Sequence, residues 1–333
     1  CDKNHLTDTL RQRQVQTLFH AAAYKHVPIC ENNVLSAITN NVMGSRIVAE
    51  SAAETGVERV ILISTDKAVR PTNVMGATKR IAEQVFQCAQ AEFPNTTYSM
   101  VRFGNVINSS GSVIPLFRKQ ISDFGPVTVT HPEITRFFMT IPEAAELVIQ
   151  AASMAEGGDV FLLDMGEPVK IADLARRMIE LSGLKVKDEN NSAGDVEIVY
   201  TGLRPGEKLY EELLIDSTAS PTMHPKIMRG KEKGYLGEKL DTILRDLFDC
   251  VEAKDPASAV QLLKVAVPEY IPETRVSLSQ PDPVNQMPLR GGLGTIALGA
   301  EQVSVTRRRF QTPAAIEALT IDATAAVSNA TKP

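Results

Sequence analysis

The chain has 333 residues, 43% hydrophobic and 23% charged, with 20 Gly and 19 Pro, so it is long and average enough to fold around a sizeable core rather than as a small stapled scaffold or a disordered chain. With 35 Lys and Arg against 40 Asp and Glu the net charge is −5, which leaves no surplus of positive charge for the phosphates of a nucleic acid.

Cys1, Cys30, Cys88 and Cys250 are widely scattered, with no CxxC pair and no Cys/His cluster at ligand spacing, so free thiols and no metal site are expected. No apolar run has the length that spans a bilayer, and the N-terminus CDKNHLTDTLRQRQ lacks a basic segment followed by an apolar one. The chain as given reads as cytoplasmic. It opens on Cys1-Asp2 without Met and is expected to be incomplete at that end, with any membrane anchor confined to the missing segment.

Val15 to His20 (VQTLFH) reads as a strand running into the small-residue turn Ala21-Ala22-Ala23. From Val34 to Thr55 the positions Val34, Ile38, Val42, Ile47 and Val48 keep helical spacing, and Gly56 stands where a C-cap belongs. Arg59 to Ser64 (RVILIS) is an apolar strand of the kind covered on both faces. A helix over Gly76 to Glu92, stopped by Pro94, leads to a third strand at Tyr98 to Phe103. This βαβαβ order predicts an α/β fold, a doubly wound parallel sheet of the Rossmann-like type. Past Gly104 the loops become rich in Asn, Ser, Gly and Pro; helices are predicted at Pro142 to Ala155 and Ile171 to Leu181, and strands at Asp159 to Asp164 and Glu197 to Tyr200. Ser277 to Pro333 has the composition of a low-complexity, disordered tail. The expected domains are a core over 1–164, a substrate-binding part over 165–276 with help from 104–140, and the tail.

A doubly wound dinucleotide site needs a glycine-rich turn after its first strand. None occurs near the N-terminus; Gly291-Gly292-Leu293-Gly294 has no strand before it and reads as linker. The sheet is therefore expected to lack its first strand and glycine loop, and the chain as given to turn over poorly. Residues 61–80, ILISTDKAVRPTNVMGATKR, put Ser64, Thr65, Asp66 and Lys67 at the carboxyl end of the apolar strand, and Met75 and Lys79 at the start of the next helix. Ligands of open α/β sheets bind at that end.

With FHAAAYKHVP (19–28), NNVMGS (40–45), STDKAVRPTNVMGATK (64–79), VRFGNVINSSGSVIPLF (101–117), TRFFMTIPEA (135–144), LDMGEPVKIADLA (163–175) and GLRPGEKLYEELL (202–214), the chain resembles, in family order over about residues 1 to 235, the extended short-chain dehydrogenase/reductases. The resemblance is specifically to nucleotide-sugar 4,6-dehydratases of the CapD polysaccharide-biosynthesis type, which act on UDP-N-acetylglucosamine. It implies tightly bound NAD or NADP, regenerated in each turnover, and a UDP-sugar substrate. Hydride leaves sugar C4, the 4-ketone acidifies the C5 proton, a base removes it, an acid helps the 6-hydroxyl leave as water, and hydride returns to C6.

By this resemblance Asp66 is the acid toward the 6-hydroxyl, Lys67 the base at C5, and Thr65 a hydrogen-bond partner of the O4 region. Lys67 would need its pKa lowered, by burial and by a cation such as Lys79 or the oxidised nicotinamide. Lys79 matches the lysine that holds the nicotinamide ribose. Met75 stands where most of the superfamily has the tyrosine of YxxxK, and a thioether cannot move a proton. Thr65 with Asp66, or a water held by Lys79, must then serve the C4 hydroxyl; a membrane-anchored branch of the family shares the Met. Ala21, Ala22, Ala23, Asn41 and, near adenine, Asp2 correspond to cofactor positions. Lys25 and His26 are expected to line the sugar pocket, and Asn105, Arg136, Arg204 and Glu207 to clamp the nucleotide diphosphate. Relatives of this kind commonly form homo-oligomers. A C5-inverting 4,6-dehydratase and a non-catalytic NAD(P)- or nucleotide-sugar-binding module stand as alternatives, while simple C4 epimerisation has no necessary use for an Asp-Lys pair.

Overall fold

A computed structural model of the chain describes residues 2–212, 219–230 and 237–272. Cys1, the glycine cluster 291–294 and the tail from Ser277 lie outside the described residues. The elements run α1 (Lys3–Arg13), β1 (Thr17–His20), α2 (Val27–Asn32), α3 (Val34–Ala37), a π-helical turn (Ile38–Met43), α4 (Gly44–Thr55), β2 (Arg59–Ile63), a 3-10 turn (Asp66–Ala68), α5 (Val74–Glu92) and β3 (Thr97–Arg102). They continue with β4 (Asn105–Val106), α6 (Val113–Ser122), β5 (Val127–Val129), β6 (Thr135–Arg136), β7 (Phe138–Met139), α7 (Ile141–Ser153), β8 (Val160–Leu163), β9 (Val169–Lys170) and α8 (Ile171–Leu181). Last come β10 (Val186–Lys187), β11 (Val196–Tyr200), β12 (Ser220–Pro221), β13 (Ile227–Gly230), α9 (Glu238–Glu252) and α10 (Pro256–Ala266).

The main sheet has the order β1-β2-β3-β8-β13-β12, with β1, β2, β3 and β8 parallel and the last two strands antiparallel to their neighbours. Strand side chains alternate between faces, and both faces are covered. Val60, Leu62, Tyr98, Met100, Val160 and Leu162 enter the core shared with the helices of the first half, whereas Ile61, Val101, Phe161 and Leu163 enter the core under α7. That two-sided burial is why RVILI is apolar throughout, and it gives the expected doubly wound α/β fold. β1 forms one edge of the sheet.

A second unit is built on the parallel sheet β10-β11-β5, with α6 and α8 packed around Ile114, Phe117, Leu174 and Ile179. Sequence division at residue 165 assigns everything up to 276 to this unit, but the packing differs. Leu240, Ile243, Leu244 and Leu247 of α9 and Leu263 of α10 join the first core, and β13 pairs with β8 in the main sheet. Those leucines and isoleucine carry the i, i+3, i+4, i+7 spacing of an amphipathic helix. α1 is likewise absent from the sequence reading; its apolar stripe is only Leu6 and Leu10.

Candidate active site

After β2 the chain leaves the carboxyl edge of the sheet through Ser64, Thr65, Asp66 and Lys67. Thr65 is extended and caps the 3-10 turn, its hydroxyl oxygen accepting from the Lys67 amide at 3.4 Å. The Asp66 amide donates to Phe103 O at 3.2 Å, tying the turn to the end of β3. Two glycines let neighbours approach: a Cβ on Gly104 would lie 3.1 Å from Asp66 Oδ2, and one on Gly76 only 2.2 Å from Lys67 O. The second contact is backbone and cannot yield, so Gly76→Ala must push the start of α5 off the turn. It is expected to cost about 1–3 kcal/mol of stability, read as a lower thermal midpoint than that of Gly125→Ala, whose new methyl meets nothing closer than 3.8 Å. Equal midpoints would refute the close packing.

Two polar groups converge on one oxygen. Thr65 Oγ1 donates to Asp66 Oδ1 at 2.8 Å, and Lys67 Nζ donates to the same atom at 3.0 Å. Lys67 also reaches Asn105 Oδ1 at 3.4 Å and pairs with Glu211 Oε1 at 3.6 Å. The Asp66 side chain is 1% exposed and that of Lys67 18%. Burial alone would lower the Lys67 pKa, but the charges of Asp66 and then Glu211 outweigh it and raise it above its ordinary value. This corrects the lowered pKa anticipated for Lys67: its carboxylate neighbours hold it as a cation. Lys79, expected beside it, instead donates to Ile63 O at 2.7 Å, and desolvation brings its own pKa down to about 8 against the opposing charge of Glu83.

Beneath the turn lies a buried ion cluster. Glu83 Oε1 accepts from Ser64 Oγ at 2.6 Å and Arg102 Nε at 2.7 Å, and Glu83 Oε2 from Arg102 Nη2 at 2.6 Å and Arg80 Nη1 at 3.1 Å. Burial would raise the Glu83 pKa, yet the charge and hydrogen bonds of Arg102, then Arg80 and Ser64, hold it at about 2.

A cavity of about 290 Å³ opens beside the turn. Lys67, Asn105, Lys25, His26, Arg136, Arg204 and Glu207 line it, so the expected substrate residues are brought together with the expected base. The stretch 202–212 reaches the cavity because Thr72 Oγ1 and Asn73 Nδ2 both donate to Gly206 O at 2.9 Å. Arg136 Nη2 donates to Glu207 Oε1 at 3.3 Å, and the Arg204 amide to Glu207 Oε2 at 3.1 Å. The His26 ring fits under Gly111, where a Cβ would lie 2.4 Å from Cε1. Glu211, which also lines the cavity, is absent from the sequence reading although it falls within the quoted GLRPGEKLYEELL motif.

The other expected residues sit elsewhere. Ala21 and Ala22 are exposed and Ala23 half-buried in irregular backbone after β1. Asn41, in the π-helical turn, donates to Tyr24 O and Thr78 Oγ1, each at 3.0 Å, and accepts from the Tyr24 amide at 2.7 Å, locking that backbone onto α5. Met75 is 3% exposed and packed in the first core, away from the cavity wall. Asp2 caps α1, accepting from the His5 amide at 3.0 Å. A nicotinamide dinucleotide fits these residues at one end. Buried Lys79 spends one of its three N–H groups on Ile63 O, and the alanines leave the backbone approachable, so the residues fit the nicotinamide-ribose half. Residues 1–43 contain no glycine to cradle a pyrophosphate.

Comparisons with known proteins agree with this architecture. The capsular polysaccharide biosynthesis protein CapD of Staphylococcus aureus is 50% identical over 266 residues, covering 80% of this chain and 42% of CapD. The chain thus spans about two-fifths of that relative's length. A UDP-glucose 4-epimerase of Rickettsia akari is 38% identical over 217 residues, covering 64% of this chain and 60% of the epimerase. The crystal structure of Pen from Bacillus thuringiensis superposes with a TM-score of 0.62 at 35% identity, covering 69% of each chain. Solved nucleotide-sugar epimerases and dehydratases, some holding NAD, share the fold at 18–20% identity with TM-scores of 0.55–0.56. Among the described residues no helix is long and apolar enough to cross a membrane. The sequence family described as polysaccharide biosynthesis protein matches residues 1–232, and the chain belongs to that family.

Proposed function

We propose that this chain carries the catalytic chemistry of a nucleotide-sugar 4,6-dehydratase, converting UDP-N-acetylglucosamine to its 4-keto-6-deoxy product for glycan synthesis. The observation that carries the reading is the convergence of Thr65 (2.8 Å) and Lys67 (3.0 Å) on Asp66 Oδ1, at the rim of a cavity lined by Arg136, Arg204 and Glu207. Bound NAD or NADP would supply the hydride acceptor at C4 and the donor at C6.

The protein's own groups carry the protons. Thr65 passes the O4 proton to Asp66 along their hydrogen bond, so Met75 need not act. Asp66, now a carboxylic acid, returns that proton to the departing 6-hydroxyl. In the fraction of molecules in which Lys67 has lost its proton, the neutral amine takes the C5 proton and gives it back to C5 after elimination. Asp66 thus ends as carboxylate and Lys67 as amine, which closes the proton count. Guanidinium forks of Arg136 and Arg204 suit phosphate oxygens, and Glu207 suits ribose hydroxyls.

The test is incubation of the complete gene product with UDP-N-acetylglucosamine in deuterated water. Deuterium at C5 of a 6-deoxy-4-keto sugar is expected, and its stereochemistry separates the retaining from the inverting enzyme. The 38% identity to a 4-epimerase favours a second reading; a C4 epimer with no loss of water would establish it. Neither product nor exchange would leave a binding module.

A further inference from the structure

Lys67 cannot work as a base while its carboxylate neighbours hold it as an ammonium. Its Nζ faces three oxygens: Asp66 Oδ1 at 3.0 Å from its own turn, Asn105 Oδ1 at 3.4 Å from β4, and Glu211 Oε1 at 3.6 Å from the stretch 202–212. Glu211 is an unusual member. Its side chain is 3% exposed, and Oε2 is buried with no hydrogen-bond partner among the described residues. Among the described residues its charge is answered by Lys67 at 3.6 Å and by Arg136 Nε at 3.9 Å, and both distances exceed hydrogen-bond length. A carboxylate so placed acts on its neighbours mainly through its field, in surroundings dry enough for that field to count.

We propose that Glu211 is the positioning residue of Lys67: its buried carboxylate closes the ring of oxygens around the ammonium and sets the pH at which that amine becomes a base. The electrostatic part rests on geometry, and its consequence for turnover rests on the dehydratase reading. The charged groups facing Lys67 are Asp66 from its own turn, Glu211, and Arg136 from β6; Arg136 opposes the two carboxylates and is itself held by Glu207 at 3.3 Å. Lys25 and His26 line the same cavity. Asp66 must accept and return a proton in the reaction, so its charge changes during turnover. Glu211 has no such duty and can supply a constant bias. Linking Lys67 to Arg136, it also couples the acid-base pair to the arginine expected to meet the diphosphate.

The test is pulse acetylation with acetic anhydride at pH 8, read as the labelling rate of the Lys67 peptide by mass spectrometry, with exposed Lys170 as internal standard. Only the neutral amine reacts, and removing an opposite charge at this range lowers a pKa by about 1–3 units. Glu211→Gln, which keeps the shape and loses the charge, is expected to label about 10- to 1,000-fold faster than wild type. Glu211→Asp, which keeps the charge, stays nearer wild type. Arg136→Gln removes the opposing cation and slows labelling, a sign reversal that serves if Glu211→Gln fails to fold. With UDP-N-acetylglucosamine, the rising limb of the kcat profile moves to lower pH by the same interval in Glu211→Gln. Unchanged labelling, or a change in KM alone, overturns the proposal. Faster labelling in Glu211→Gln, with no dehydrated product from wild type, sustains the role of Glu211 and sinks the dehydratase reading instead.

Discussion

Lys67→Ala and Asp66→Asn are each expected to lower dehydration of UDP-N-acetylglucosamine by about 10²–10⁴-fold, the usual yield of one positioned acid or base. Alanine leaves nothing to collect the C5 proton, and the amide of asparagine cannot release one to the 6-hydroxyl. The two residues share a 3.0 Å hydrogen bond and act in one step, so the double variant should lose little beyond the worse single one. Lys67→Ala should recover part of its rate when small primary amines are added. Deuterium incorporation at C5 isolates the proton step and should fall with turnover in Lys67→Ala. Rates within tenfold of wild type in a folded variant would remove the pair from the chemistry, and with it the dehydratase reading.

Where one strand or helix decides its own burial, the sequence is transparent. RVILI had to be a strand with both faces covered. The helical spacing from Val34 ends at Gly56, which takes the left-handed conformation (φ 73°) that stops α4; the spacing did not disclose the π-helical turn at Ile38–Met43, which depends on a single extra residue per turn. Thr65, Asp66 and Lys67 were legible as neighbours at the carboxyl end of a parallel strand, and the roles expected of them came from the family resemblance. Glu211 lies 144 residues from Lys67 in the chain, and the seating of Gly206 on the Thr72-Asn73 turn and of Lys208 on Val69 O brings it near. The direction of the Lys67 shift was hidden in part for the same reason, since Glu211 adds its charge to that of Asp66 from a separate segment. The Glu83 cluster was hidden too: in the sequence, Glu83 is one more polar residue on an amphipathic helix.

That cluster should dominate the response to acid. Glu83, Arg102 and Arg80 are almost wholly inaccessible, with side-chain exposures of 0%, 0% and 2%. Removing one member of a buried pair costs roughly 3–5 kcal/mol; Glu83→Gln leaves the guanidinium groups of Arg102 and Arg80 facing a neutral amide, although Arg80 keeps its pair with Glu269 at 3.2 Å. In urea at pH 7 the variant should therefore unfold at a markedly lower midpoint than wild type. The pH dependence follows from linkage. The unfolded carboxyl binds its proton near its ordinary value of 4.5, whereas the folded one resists until about 2. Its contribution is thus complete above about 4.5, is lost progressively as pH falls toward 2, and is absent from the variant throughout. The gap between wild type and Glu83→Gln should accordingly narrow over that window. The loss should reach the site as well, because Ser64 hands its hydroxyl to Glu83 immediately before the Thr65-Asp66-Lys67 turn, and the charge that opposes the lowered pKa of Lys79 disappears with it. A variant with wild-type urea midpoints at pH 7 would mean that the desolvation of three charges already cancels their attraction, leaving the cluster a determinant of where the turn sits rather than of how firmly the sheet holds.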